Sequence, residues 1–212
     1  EDRASLGLVQ GVVQTWKRSV LKPQEFWPTV RPEGSLGSAL GYGWLLSALG
    51  VILSIPMMAL QMPQLMAQMQ EMQAQMGGDA GIFESMGSIG LMVIGVLAML
   101  VLWPVGAIIS IAVVHAAALL VGAGNKGFNA TARAFFYAQG PNVLSAIPLV
   151  GTLASIYSLT LFGWGLKELH GTTSGKAAAA ILLPVLVVCC CLCVGLIGMA
   201  GAIGTAMGGL PK

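Results

Sequence analysis

The length of its uncharged apolar runs most restricts what this chain can become. From Leu36 to Leu60, from Ile89 to Val121 and from Ala177 to about Gly204 there is no Asp, Glu, Lys or Arg. A helix rises about 1.5 Å per residue and the hydrocarbon core of a bilayer is about 30 Å thick, so roughly 20 apolar residues suffice to cross it. These runs meet that length. Only 8% of the residues are charged, against about a quarter in a soluble domain, which must cover its surface with groups that water solvates. The expected class is therefore an all-α integral membrane protein.

Two further segments complete a five-helix transmembrane bundle. Ala130 to Ile147 is apolar but interrupted at Gly140–Pro141–Asn142, and Leu149 to Leu166 follows the turn signal at Pro148. The run from Ile89 to Val121 is long enough for one tilted span or for two short ones broken at Pro104 and Gly106. Charge placement favours one crossing. The N-terminal segment (Arg3, Lys17, Arg18, Lys22, Arg31), the loop near 122–133 (Lys126, Arg133) and the loop at 167–176 (Lys167, Lys176) then share one side. Glu71, Asp79 and Glu84 lie opposite, in a segment without Lys or Arg, and Lys212 is the one cation there. The excess of Lys and Arg on cytoplasmic loops thus predicts five spans, with the N-terminus cytoplasmic and the C-terminus extracytoplasmic.

The resulting division is a cytoplasmic amphipathic segment (1–35), a first span (36–60), an extracytoplasmic Met/Gln-rich segment (61–88) and four further spans (89–209). In the first segment Ser5 is placed to cap a helix carrying Leu6, Val9, Val13, Trp16 and Val20 on one face, with Gln10, Gln14, Lys17 and Arg18 off it. A basic, Trp-bearing helix of this kind suits a membrane surface and equally suits packing on the bundle. The chain starts at Glu1, so residues upstream are expected to have been trimmed. No cleavable leader is visible, and the spans themselves are expected to direct insertion.

Five-span topology brings His115, Arg133, Tyr137, Glu168, His170 and Lys176 to cytoplasmic membrane depth. They form a mostly basic candidate site for an anionic headgroup or an acidic partner segment. The alternatives are a His115 hydrogen-bonded between helices and an Arg133 that snorkels to the interface. Gly140, Pro141 and Asn142 break a span, either as a proline kink or as a transporter-like binding site. Met62, Met66, Met69, Met72 and Met76 recur at helical spacing. Soft thioethers in that pattern can hold Cu(I), and a Met/Gln helix lying on the outer surface accounts for it as well. Cys189, Cys190, Cys191 and Cys193 sit inside an apolar run and read as small filler. No P-loop, nucleophile elbow or zinc-protease motif occurs, so neither catalytic residues nor a cofactor nor a metal is expected. The net charge of +2 points to no nucleic acid.

The second half also carries an ordered set of small motifs. A His precedes a small-residue turn (His115), followed by Phe128, Thr131, Arg133 and Tyr137, with Pro141 four residues on. Then come an Ile147–Pro148 turn, an Ile156–Tyr157 span, Gly165–Leu166 with His170, and Lys176–Ala177 opening the last span. In this order they resemble the Yip-domain family of small membrane proteins, and the opening Trp16, Pro23 and Phe26 resemble its bacterial members. The resemblance implies five spans, a cytoplasmic N-terminus and, from eukaryotic relatives, association with small Rab-type GTPases, vesicle traffic and membrane shaping, often as oligomers. The expected function is a non-enzymatic adaptor in the bacterial cytoplasmic membrane, with lipids, a homo-oligomer or a membrane-protein partner. The rivals are a small transporter using the break at Pro141 and a Cu(I)-handling protein using the Met segment.

Overall fold

The computed structural model describes residues 7–76 and 81–208, with side chains apart from those at 73, 74, 76, 81–88 and 196–208. The expected cap at Ser5, the Met76 thioether, Asp79 and the Glu84 carboxylate lie outside the described residues. The chain forms α1 (Leu8–Leu21), α2 (Pro23–Phe26), a 3-10 turn (Trp27–Thr29), α3 (Leu36–Met76), α4 (Gly81–Leu120), α5 (Gly127–Ala138), a 3-10 stretch (Gly140–Ala146), α6 (Val150–His170) and α7 (Ser174–Gly208). Among the described residues there is no strand.

Among the described residues three helices are long and apolar enough to cross a membrane: α3 over Leu36–Met72, α4 over Ile89–Leu120 and α7 over Ser174–Gly195. Only 6% of the most apolar window of α4 is buried inside the protein. Side chains such as Val101, Leu102 and Ile109 therefore need an apolar solvent, which the bilayer supplies. The first apolar run does not end its helix at Leu60. Helix α3 continues to Met76, because Met, Gln, Ala and Leu are all good helix formers and nothing there caps the end. The run from 89 to 121 is a single helix across Pro104.

That continuity has a local cause. A proline cannot donate to the carbonyl four residues earlier, which for Pro104 is Leu100. The indole Nε1–H of Trp44, on α3, donates to the Leu100 carbonyl at 3.0 Å. The orphaned acceptor is thus satisfied across the α3–α4 contact, as an apolar environment demands. Trp44→Phe is expected to cost about 1–3 kcal/mol by leaving that carbonyl without its donor. In a Pro104→Ala background, where the backbone N–H returns, the same change should cost much less. Thermal unfolding of the four proteins of this cycle measures the coupling, and equal losses in both backgrounds would refute it.

The best-packed region lies where α5 and α6 meet the start of α3 and the N-terminal connector. Most of α5 is buried, and the core there includes Trp27, Tyr42, Phe136, Leu161 and Leu166. Close approach requires glycine at Gly165, where a Cβ would stand 2.7 Å from the Trp27 ring and 3.0 Å from Ala134.

Candidate functional site

The residues expected to form one site separate into three arrangements. The first joins α4, α5 and α6 through Thr131. Its hydroxyl lies 2.8 Å from His115 Nδ1 and 2.9 Å from His170 Nε2. The other His170 nitrogen, Nδ1, accepts from the backbone N–H of Lys126 at 3.0 Å. A backbone N–H can only donate, so Nδ1 carries no proton and the proton of neutral His170 sits on Nε2. From there one direction follows: His170 donates to Thr131, while the direction of the Thr131–His115 bond is set by the His115 tautomer. His115 is thus hydrogen-bonded between helices. Its ring meets Phe128 edge-on at 5.7 Å, and the two imidazole centroids stand 6.2 Å apart.

His170 is 2% exposed and ends α6. Gly171 follows in the left-handed conformation, φ 62°, and Thr172 N–H returns to the Lys167 carbonyl, a common helix stop that sets the His170 ring toward α5. Burial, and after it the nearby His115, lower the His170 pKa from 6.5 to about 4. The group is built to stay neutral.

The second arrangement holds the connector ahead of α3. Arg133, 1% exposed, donates through Nη1 to the Ser35 carbonyl at 2.8 Å. Its guanidinium lies 5.5 Å from the Tyr137 ring centroid and directly against Gly34, where any Cβ would collide with it. Asn129 adds a bond from Nδ2 to the Gly34 carbonyl at 3.0 Å. Arg133 is therefore engaged inside the protein and does not reach the surface. The third arrangement is the exposed rim. Lys176 reaches the Gly122 carbonyl at 3.5 Å, and Glu168 pairs with Lys167 at 3.1 Å. The ends of α4 and α6 and the starts of α3, α5 and α7 meet here.

The break at Gly140–Pro141–Asn142 is a packed 3-10 stretch between α3 and α6. Asn142 Nδ2 donates to Gln139 Oε1 at 2.6 Å, and Asn142 Oδ1 accepts from Ser158 at 3.0 Å. The Gly140 carbonyl accepts from Trp16 Nε1 at 2.9 Å. The Asn142 side chain and the Gly140 carbonyl are thus bound by the protein itself. An apolar recess of about 390 Å³ lies elsewhere, between α3 and α4, beside Trp44, Gly95 and Trp103. Met62, Met66 and Met69 are half-buried on the C-terminal third of α3. Among the described residues no three His, Cys, Asp or Glu side chains gather as a metal site.

Sequence reasoning did not assign the bridge to Thr131, which it met only as part of a motif, nor the clamp to Asn129. A polar residue on an otherwise apolar helix face is the signal for both, since burial obliges it to find partners. No curated protein and no solved structure matches the chain. The family model for the Yip1 domain matches it over residues 17–197, from within α1 into α7. That stretch contains the histidine bridge, the arginine clamp and the apolar helices alike, and the chain belongs to the Yip1 domain family of membrane proteins.

Proposed function

We propose that this protein is a non-enzymatic five-pass bundle, with its N-terminus cytoplasmic, that gathers anionic lipid headgroups or an acidic partner segment at a basic cytoplasmic end. Five crossings are supported by the alternating direction of α3, α4, α5 with its 3-10 continuation, α6 and α7. The ends Lys126 and His170 of the α5–α6 hairpin touch, as an antiparallel pair requires. Membership of a membrane family with no recognised catalytic motif supports a binding role.

The observation that carries the reading is the rim itself. Arg31, Lys126 and Lys176 are exposed around the gathered helix ends, and Glu168 there is already paired with Lys167. Each cation near an anionic surface contributes about 1 kcal/mol. Arg133, being buried, sets the frame that presents them. With Arg31, Lys126 and Lys176 all changed to Gln, phosphatidylglycerol retained by the purified protein in native mass spectrometry is expected to fall several-fold, with phosphatidylcholine unchanged. Undiminished retention would overturn the headgroup reading.

A further inference from the structure

Helix α1 is attached at one end only. At 100° per residue, Val12, Trp16, Ser19 and Val20 fall on one side, and this side sits on the bundle. Val12 and Trp16 pack against the core and Ser19 and Val20 are buried. Three hydrogen bonds fix the seat: Trp16 Nε1 to the Gly140 carbonyl, Ser19 with the Tyr42 hydroxyl at 3.1 Å, and the Tyr157 hydroxyl to the Val20 carbonyl at 2.6 Å. Leu8, Val9 and Val13 continue the same stripe toward the N-terminus, yet they are 60%, 74% and 44% exposed. The helix overhangs the bundle with its apolar face uncovered. Gln10, Gln14, Lys17 and Arg18 lie on the other sides; Lys17 and Arg18 are exposed, whereas Lys22 pairs with Glu25 at 3.1 Å.

The level of the seat identifies what covers the overhang. Tyr42 lies about 10 Å along α3 beyond Ser35, where the apolar run has begun. Gly140 lies the same distance along the chain beyond Arg133, which binds Ser35. A helix anchored there sits below the headgroups, within the acyl boundary of the cytoplasmic leaflet, where lysine and arginine stems reach back to the phosphates.

We infer that α1 is a wedge in the cytoplasmic leaflet, its apolar stripe seated on the bundle through Trp16 and Val20 and on lipid acyl chains through Leu8, Val9 and Val13, with Lys17 and Arg18 selecting anionic headgroups. This rests on the membrane-crossing part of the proposed function and not on its basic rim.

The full chain, carrying the photocrosslinker benzoylphenylalanine at Val9 or at Gln14, is reconstituted in phosphatidylcholine vesicles with and without phosphatidylglycerol. Irradiation at position 9 is expected to yield acyl-chain adducts several-fold above those at position 14. Adducts mainly to a second copy, or equal low yields at both positions, would overturn the inference. With Lys17 and Arg18 changed to Gln, the phosphatidylglycerol share of the adducts should fall several-fold, and an unchanged share would overturn the headgroup selection. The Arg31, Lys126 and Lys176 variant should leave both readouts intact, which separates this wedge from the rim.

Discussion

Thr131→Val is expected to destabilise the protein by about 2–4 kcal/mol, which thermal unfolding in detergent will register as a lower midpoint than that of Thr131→Ser. Valine keeps the shape of the threonine side chain and removes only the hydroxyl. Two imidazole nitrogens then lose their partner together: Nε2–H of buried His170 its acceptor, and Nδ1 of half-buried His115 its hydroxyl. A buried polar group left without a partner costs about 1–3 kcal/mol, and the His170 nitrogen with a smaller cost at His115 sets the estimate. Serine retains an oxygen at the same position and should recover most of the loss. Equal behaviour of the valine and serine variants would show that the bridge contributes little.

Stability should also fall in acid over a defined window. His170 lies in the polar C-terminal end of α6, after the apolar run that stops at Leu166, and its folded pKa is about 4 against 6.5 in an unfolded chain. Between these values the unfolded chain binds the proton that the folded chain excludes. The contribution is thus complete above pH 6.5 and is lost as pH falls toward 4. Its upper size is roughly 3 kcal/mol, from about 1.4 kcal/mol per unit. The physical event is a second proton on His170, at Nδ1, which abolishes the acceptor for the Lys126 N–H. His170→Gln should flatten the unfolding midpoint between pH 6.5 and 4, whatever its cost at neutral pH. A profile that keeps its slope in that variant would place the acid sensitivity elsewhere.

The two results are separable because burial, rather than the bridge, is the main cause of the lowered His170 pKa. Thr131→Val should lie below the parent protein at every pH while keeping much of the slope. The bridge and the titration therefore report on the same junction by different physics.

From the sequence this junction could be expected only as a level and not as a contact. Lys and Arg placement led to the expectation that His115, Arg133, His170 and Lys176 share one depth, since charge near a span end must reach water or a partner. It could not show that Arg133 turns toward Ser35 while Lys176 stays on the rim. Arg133 and Thr131 lie two residues apart on α5 and so point to different sides of the helix. Which side meets the histidines depends on where α4 and α6 pack. The break at Pro141 was legible from its backbone chemistry. Its closure was not, because Trp16, Gln139 and Ser158 come from three separate segments.

The N-terminal helix gives the same lesson in one element. Spacing revealed its apolar face, and that face served equally for a membrane surface and for the bundle. The structure assigns Val12, Trp16, Ser19 and Val20 to the bundle and leaves Leu8, Val9 and Val13 bare.

What the sequence determined by itself was solvent and period: uncharged runs too long for a soluble core, a basic side, and helical stripes. Those properties are local, because transfer free energy and backbone geometry are summed residue by residue along the chain. What only the tertiary structure decided was partnership. Trp44 serves the carbonyl that Pro104 abandons, Thr131 joins two histidines, and Gly165 admits Trp27. Each needs groups distant in sequence to meet at bonding distance, and such meetings are set by how the helices pack.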